Sequence, residues 1–223
     1  MNGSWSRRLI AAGGTVGLGV VACSGATHTG ASANVQPTPA TRTVLTPAAQ
    51  AAADSGRPPY TAADVHFISG MIPHHAQAVL IAGWAATHGA SAAVRALCER
   101  ILVAQRDEIA FMQRWLRERH QRVPDADARH AHDGTLMPGM LTAEQLAQID
   151  GARGPEFDRL FLTFMIEHHQ GALTMVEQLM SAHGAAQDDE VFKFASDVNA
   201  DQIAEIDRMI VMLRAMGTEQ RGP

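Results

Sequence analysis

Residues Met71-Ile72-Pro73-His74-His75-Ala76-Gln77-Ala78 superpose on Met165-Ile166-Glu167-His168-His169-Gln170-Gly171-Ala172 at an offset of 94. Further on, Gln105, Glu108, Ile109, Met112 and Leu116 superpose on Gln202, Glu205, Ile206, Met209 and Leu213 at an offset of 97. The difference of three residues falls where a helix–helix turn takes an insertion. Four stretches of 3.6-residue periodicity carry these repeats: Thr61 or Asp64 to His88, Ser91 to about Gln121, Pro155 to His183, and Asp188 to Met216. Gly89, Gly184 and Gly217 stop three of them, Pro124 follows the other, and Pro155 opens the third. No β-branched alternation after residue 60 competes with this pattern. Two copies of a helical hairpin predict an all-α four-helix bundle with pseudo-twofold symmetry. The join, residues 122–154, holds a polar loop with His130, His132 and Asp133, expected to be solvated. A short helix from about Thr142 to Ile149 follows, opened by a Thr142/Gln145 capping box. His88 and His183 are expected in the last helical turn before Gly, where a His complements the macrodipole.

The segments before the repeat read differently. Arg7 and Arg8 precede an apolar run, Leu9 to Ala22, too short to cross ~30 Å of hydrocarbon comfortably. Val20-Val21-Ala22-Cys23 resembles a lipobox, so residues 1–22 are expected to be a lipoprotein-type signal peptide and Cys23 the lipidated residue. Removing them takes away two arginines and no acid, moving the formal net charge from -5 to -7. Residues 23–60 are rich in Ser, Thr, Ala, Gly and Pro and cannot bury enough apolar surface to offset their ordering entropy. They read as a disordered tether for one metal-binding domain over residues 61–217, lipid-anchored to the cell membrane and facing its extracytoplasmic side.

The repeated residues carry the chemistry. On a helical wheel at ~100° per residue, His74 and His75 fall about 60° and 40° either side of Met71. The third helix repeats the face with Met165, His168 and His169, and Met175 lies at its edge, where the first half has Ile81. Gln105, Glu108 and Met112, and their copies Gln202, Glu205 and Met209, share stripes on the other two helices. One buried Met is ordinary core filler. Two adjacent histidines beside it, copied twice, would instead cost several kcal/mol if left unpartnered. Thioether and imidazole together select copper, Cu(I) above all, because thioether sulfur is a soft donor. A di-iron bundle needs inward carboxylates with Glu-x-x-His on two helices, and that pattern is missing here. Met137-Pro138-Gly139-Met140 reads either as a thioether arm or as a hydrophobic lid. Pro73 stands where the second half has Glu167, so the two sets need not be equivalent. Aromatic residues make up 5% of the chain and the charge is acidic, which argues against nucleic acid as a partner.

The stretch Asp64 to Leu116, the Met137-Pro138-Gly139-Met140 segment, Phe157-Asp158-Arg159-Leu160-Phe161 and the second Met-Ile-Glu-His-His motif together resemble the exported domain-of-unknown-function family numbered 305, over about residues 61–217. The resemblance implies a ferritin-like bundle at the cell surface or in the periplasm, with some members tied to copper binding and tolerance. By position it implies the ligand set Met71, His74, His75, Met112, Met165, His168, His169, Met175 and Met209. Ile81, where the family often has Met, points to an incomplete set in the first half. The function expected is sequestration or hand-over of Cu(I), without turnover, with copper as the bound ion and a copper-delivery or copper-accepting protein as partner. The alternatives are a metal-free envelope scaffold and a copper- or haem-dependent oxidoreductase.

Overall fold

A computed structural model describes residues 59–126 and 136–219 of the chain. The signal peptide, Cys23, the tether up to residue 58, His130, His132 and Asp133 lie outside the described residues. Among the described residues five α-helices follow in order: α1 Ala62–Gly83, α2 Ala92–Glu118, α3 Ala143–Gly151, α4 Pro155–Ser181 and α5 Asp189–Glu219. No strand occurs among the described residues.

Local chemistry sets the helix starts. Thr61 caps α1 reciprocally: its side chain accepts from the Asp64 amide, and Asp64 Oδ2 accepts from the Thr61 amide at 2.6 Å. The other Asp64 oxygen accepts from the Ala186 amide at 2.7 Å, so one buried carboxylate ties the start of α1 to the α4–α5 turn. The predicted Thr142/Gln145 box caps α3, and Pro155 opens α4. Ser91 caps α2 with its side chain, while its own amide donates to the Asp158 carboxylate on α4.

α1 pairs with α2, α4 pairs with α5, and α1 crosses α4 in the middle. A helix in that position is covered on most sides, which is why α1 is buried almost all round whereas α2 keeps a polar face. The core has two layers. One gathers Ile81, Met165 and Met209 with Phe157 and Phe161; the other gathers Met71, Met112 and Met175 with Trp115 and Phe194.

Two expectations need correction. α1 ends at Gly83 and passes into a 3-10 turn, Trp84–Ala86, so His88 lies beyond the last helical turn. Its buried ring stacks on Trp84 and reaches the Asp150 carbonyl through Nε2 at 2.9 Å, pinning the end of α1 to the end of α3. α4 likewise ends at Ser181, leaving His183 exposed in the following turn. Neither histidine complements a macrodipole; the glycines end the turns (Gly89 φ 69°, Gly184 φ 73°) rather than the helices.

Candidate metal centre

The crossing of α1 over α4 brings the two histidine pairs together. His74, His75, His168 and His169 are all fully buried, and the His74 and His168 rings lie 3.8 Å apart, centroid to centroid. Within each pair the rings are 6.1 Å apart. The ring nitrogens are used in a consistent way. His74 Nε2 donates to the Pro138 carbonyl at 3.0 Å, and His168 Nε2 to the His74 carbonyl at 3.1 Å. His169 Nε2 donates to Glu205 Oε2 at 2.7 Å. His75 Nε2 stands 2.9 Å from Glu108 Oε2, but off the hydrogen-bond axis, so both atoms keep unmet capacity.

A carbonyl or carboxylate oxygen can only accept, so in His74, His168 and His169 the Nε2 atom carries a proton. The Nδ1 atoms of all four histidines are buried without a partner. Each costs about 1–3 kcal/mol if nothing occupies it. An outer nitrogen tied to an oxygen, with the inner one left bare, is how a metal-binding imidazole is oriented. Burial, reinforced by the neighbouring His75, lowers the His74 pKa to about 3. Burial and then His74 hold His168 well below the ordinary 6.5. Both rings are therefore neutral at physiological pH, and no proton competes for the lone pair.

Among the described residues, no three His, Cys, Asp or Glu side chains are grouped to hold one ion. Cys98 is no help, because burial and then Asp158 push its thiol up to about 12. Any further donors must be thioethers. Met71, Met112, Met165, Met175 and Met209 are each 4% exposed or less. They divide unexpectedly. Met175, from the second half, lies in the layer of Met71 and Met112; Ile81, from the first half, lies in the layer of Met165 and Met209. The missing sulfur is thus missing from the second half's layer, not the first's. The crossing of α1 and α4 exchanges the two positions, which a comparison confined to each repeat does not reveal.

The Met137–Leu141 segment straps the crossing. Leu141 exchanges two hydrogen bonds with Gln77 on α1, at 2.7 and 3.1 Å, while the Pro138 carbonyl accepts from His74 Nε2. Gly139, at φ 77°, lies against Gly171 on α4, where a Cβ would stand 2.0 Å from the Pro138 oxygen. The Met137 methyl fills the place of a Gly70 side chain, 1.9 Å from where a Cβ would be, with the Met175 methyl 3.4 Å from the same point. Beside it opens a cavity of about 540 Å³ lined by Met137, Met175 and His66.

Sequence reasoning placed Glu108 and Glu205 on the right stripes without assigning them to the imidazoles. Their duplication at the offset of Met112 and Met209 was the available signal. The Pro138 carbonyl, a backbone atom, left none.

A family model described as Domain of unknown function (DUF305) matches residues 64–213. The chain belongs to this family. Among solved structures, this DUF305 chain is similar to a DUF305 fragment from Deinococcus radiodurans: 28% identity, TM-score 0.62, covering 71% of this chain and 99% of that one. A DUF305 protein from Streptomyces coelicolor, described as secreted, gives 26%, 0.60, 70% and 94%. CopM in its Cu(II)-bound form gives 29%, 0.56, 68% and 96%, and CopM in its Cu(I)-bound form 28%, 0.54, 70% and 98%. No curated protein matches the sequence.

Proposed function

We propose that this DUF305 chain is an exported, lipid-anchored protein that binds Cu(I) through Met and His side chains. It would sequester the ion or hand it to an accepting protein, without turnover. The observation that carries the reading is the set of four buried Nδ1 atoms without partners, those of His74 and His168 on rings held neutral by burial, between two layers rich in thioether sulfur. Neutral imidazole and thioether release no proton on binding, so this donor set suits a soft monovalent ion. The similarity to CopM, solved with Cu(II), Cu(I) and Ag, supports the same class of cargo. Export is supported by the Arg7-Arg8 leader and the lipobox-like Cys23, and by the neighbour described as secreted. No helix among the described residues is long and apolar enough to cross a membrane.

The test is anaerobic Cu(I) titration against a competing chelator, for the wild type and for Met71→Leu combined with Met165→Leu. Leu replaces Met in a core at less than about 1.5 kcal/mol. We expect affinity to fall by roughly 100-fold, about 2.7 kcal/mol, with the fold retained. Unchanged stoichiometry and affinity in the folded double variant would refute the reading.

A further inference from the structure

Two spaces approach the buried imidazoles, and their walls differ in chemistry. The groove between α2 and α5 reaches Glu108 and Glu205 but offers only carboxylates, arginines and amides, with no sulfur. The strap cavity is lined by Met137, Met175 and His66, and among the described residues no charged Asp, Glu, Lys or Arg side chain joins them. Burial is graded across these three donors: His66 is exposed, Met137 half-buried and Met175 4% exposed. The two thioethers share one notch over Gly70. A Cβ there would stand 1.9 Å from the Met137 methyl, 3.5 Å from its sulfur and 3.4 Å from the Met175 methyl. Glycine inside a helix costs stability relative to alanine, and here it leaves the space that the Met137 thioether occupies. His66 lies one turn before Gly70 on α1, a spacing that puts both on the same face.

We propose that Met137, Met175 and His66 form an outer docking site that captures incoming Cu(I) and passes it to the buried imidazoles; this rests on the Cu(I) reading of the buried centre. Thioether and imidazole donors without a carboxylate suit a soft ion and offer little to a hard one. Met175 belongs to both places, since it lines the cavity and packs in the layer of Met71 and Met112. Pro138, also on the cavity wall, accepts from His74 Nε2, so the cavity abuts the imidazoles. The ion moves inward by ligand replacement, each new donor binding before the last one leaves, and no redox step is involved. Met137 suits the middle of such a relay because its unbranched side chain can swing its sulfur between neighbours. Release uses the same donors in reverse order.

The test is stopped-flow transfer of Cu(I) from its bicinchoninate complex to the full chain, without oxygen, with equilibrium affinity measured beside the rate. The variants are Met137→Leu, which keeps an apolar side chain of similar volume in the Gly70 notch, and His66→Gln at an exposed position. We expect uptake and release to slow together by roughly tenfold in the double variant, and by less in each single one. Affinity for the buried ion should stay within about twofold of the wild type. Rates equal to the wild type overturn the docking site and leave the buried centre standing. A loss of affinity as large as the loss of uptake rate also overturns it, because Met137 would then belong to the buried set. A second measurement uses methionine labelled with 13C at the methyl. Excess Cu(I) should shift the Met137 signal, identified by its loss in Met137→Leu, and an unmoved signal overturns the proposal. A shifted Met137 signal with unmoved Met165 and Met209 signals would support the outer site while counting against the buried one.

Discussion

In the first hairpin His75 stands 2.9 Å from Glu108 off the hydrogen-bond axis, whereas in the second His169 donates squarely to Glu205 at 2.7 Å. In the first, His74 donates a hydrogen bond to the strap at the Pro138 carbonyl; in the second, His168 donates to the first hairpin's own backbone. At one repeat position Gln77 holds the strap by two hydrogen bonds, and its counterpart Gly171 is the bare surface on which the strap lies. Duplication has therefore preserved the two histidine pairs and changed what orients them. A strap that crosses a twofold axis once cannot meet both halves in the same way, so part of the asymmetry follows from topology.

Four measurements break or sharpen this comparison. The largest effect should come from acid. Unfolded, His74 and His168 take up protons below the ordinary 6.5; folded, His74 does so only near 3 and His168 far below 6.5. Unfolding therefore absorbs protons across that window, and metal-free stability should fall by several kcal/mol as the pH drops from 6.5 towards 3. Urea midpoints at a series of pH values would show it. His74→Gln and His168→Gln should each flatten the acid limb; a slope unaltered by either would mean that neither ring is held neutral.

Gly171→Ala comes next. Helix propensity alone predicts a gain of about 1 kcal/mol. The overlap with Pro138 and Gly139 backbone predicts a loss of about 3 kcal/mol instead, or roughly 6–12 °C in melting temperature. A stabilised variant would show that the strap does not bear on α4.

Glu108→Gln and Glu205→Gln should each lower Cu(I) affinity by about 10–100-fold, as outer partners of metal-binding imidazoles do. The aligned pair predicts the larger loss at Glu205; equal losses in a chelator competition would erase that difference between the halves. Smallest is Ile81→Met, which costs less than about 1.5 kcal/mol of stability and supplies a third sulfur to the layer of Met165 and Met209. Measured Cu(I) affinity should rise modestly, and a further gain on adding Met175→Leu would contradict the assigned layers.

Much of this was legible beforehand because helices write themselves at a fixed period. The repeated motifs, the Thr142/Gln145 capping box and the proline start of α4 are each written in a short run of residues, whereas the Thr61/Asp64 box at the start of α1 emerged only with the fold. The family resemblance and the fold agree with it. Helix ends were harder, since Gly89 and Gly184 close turns that begin several residues earlier. The exchange of Met175 and Ile81 between layers depends on how α1 crosses α4, and no spacing along one helix encodes a crossing. The strap escaped for a related reason. Its hold on the histidines runs through a backbone carbonyl and through the lack of a side chain at Gly171, neither of which has a residue signature.

The placement of Met175 among the first hairpin's sulfurs has a mechanical corollary. An ion gripped there would act as a rivet through the seam of the molecule, adding to the ties that Asp64 and Asp158 already make between the two arms. Loading would then stiffen the bundle against sliding of one arm over the other, and unloading would require the arms to part.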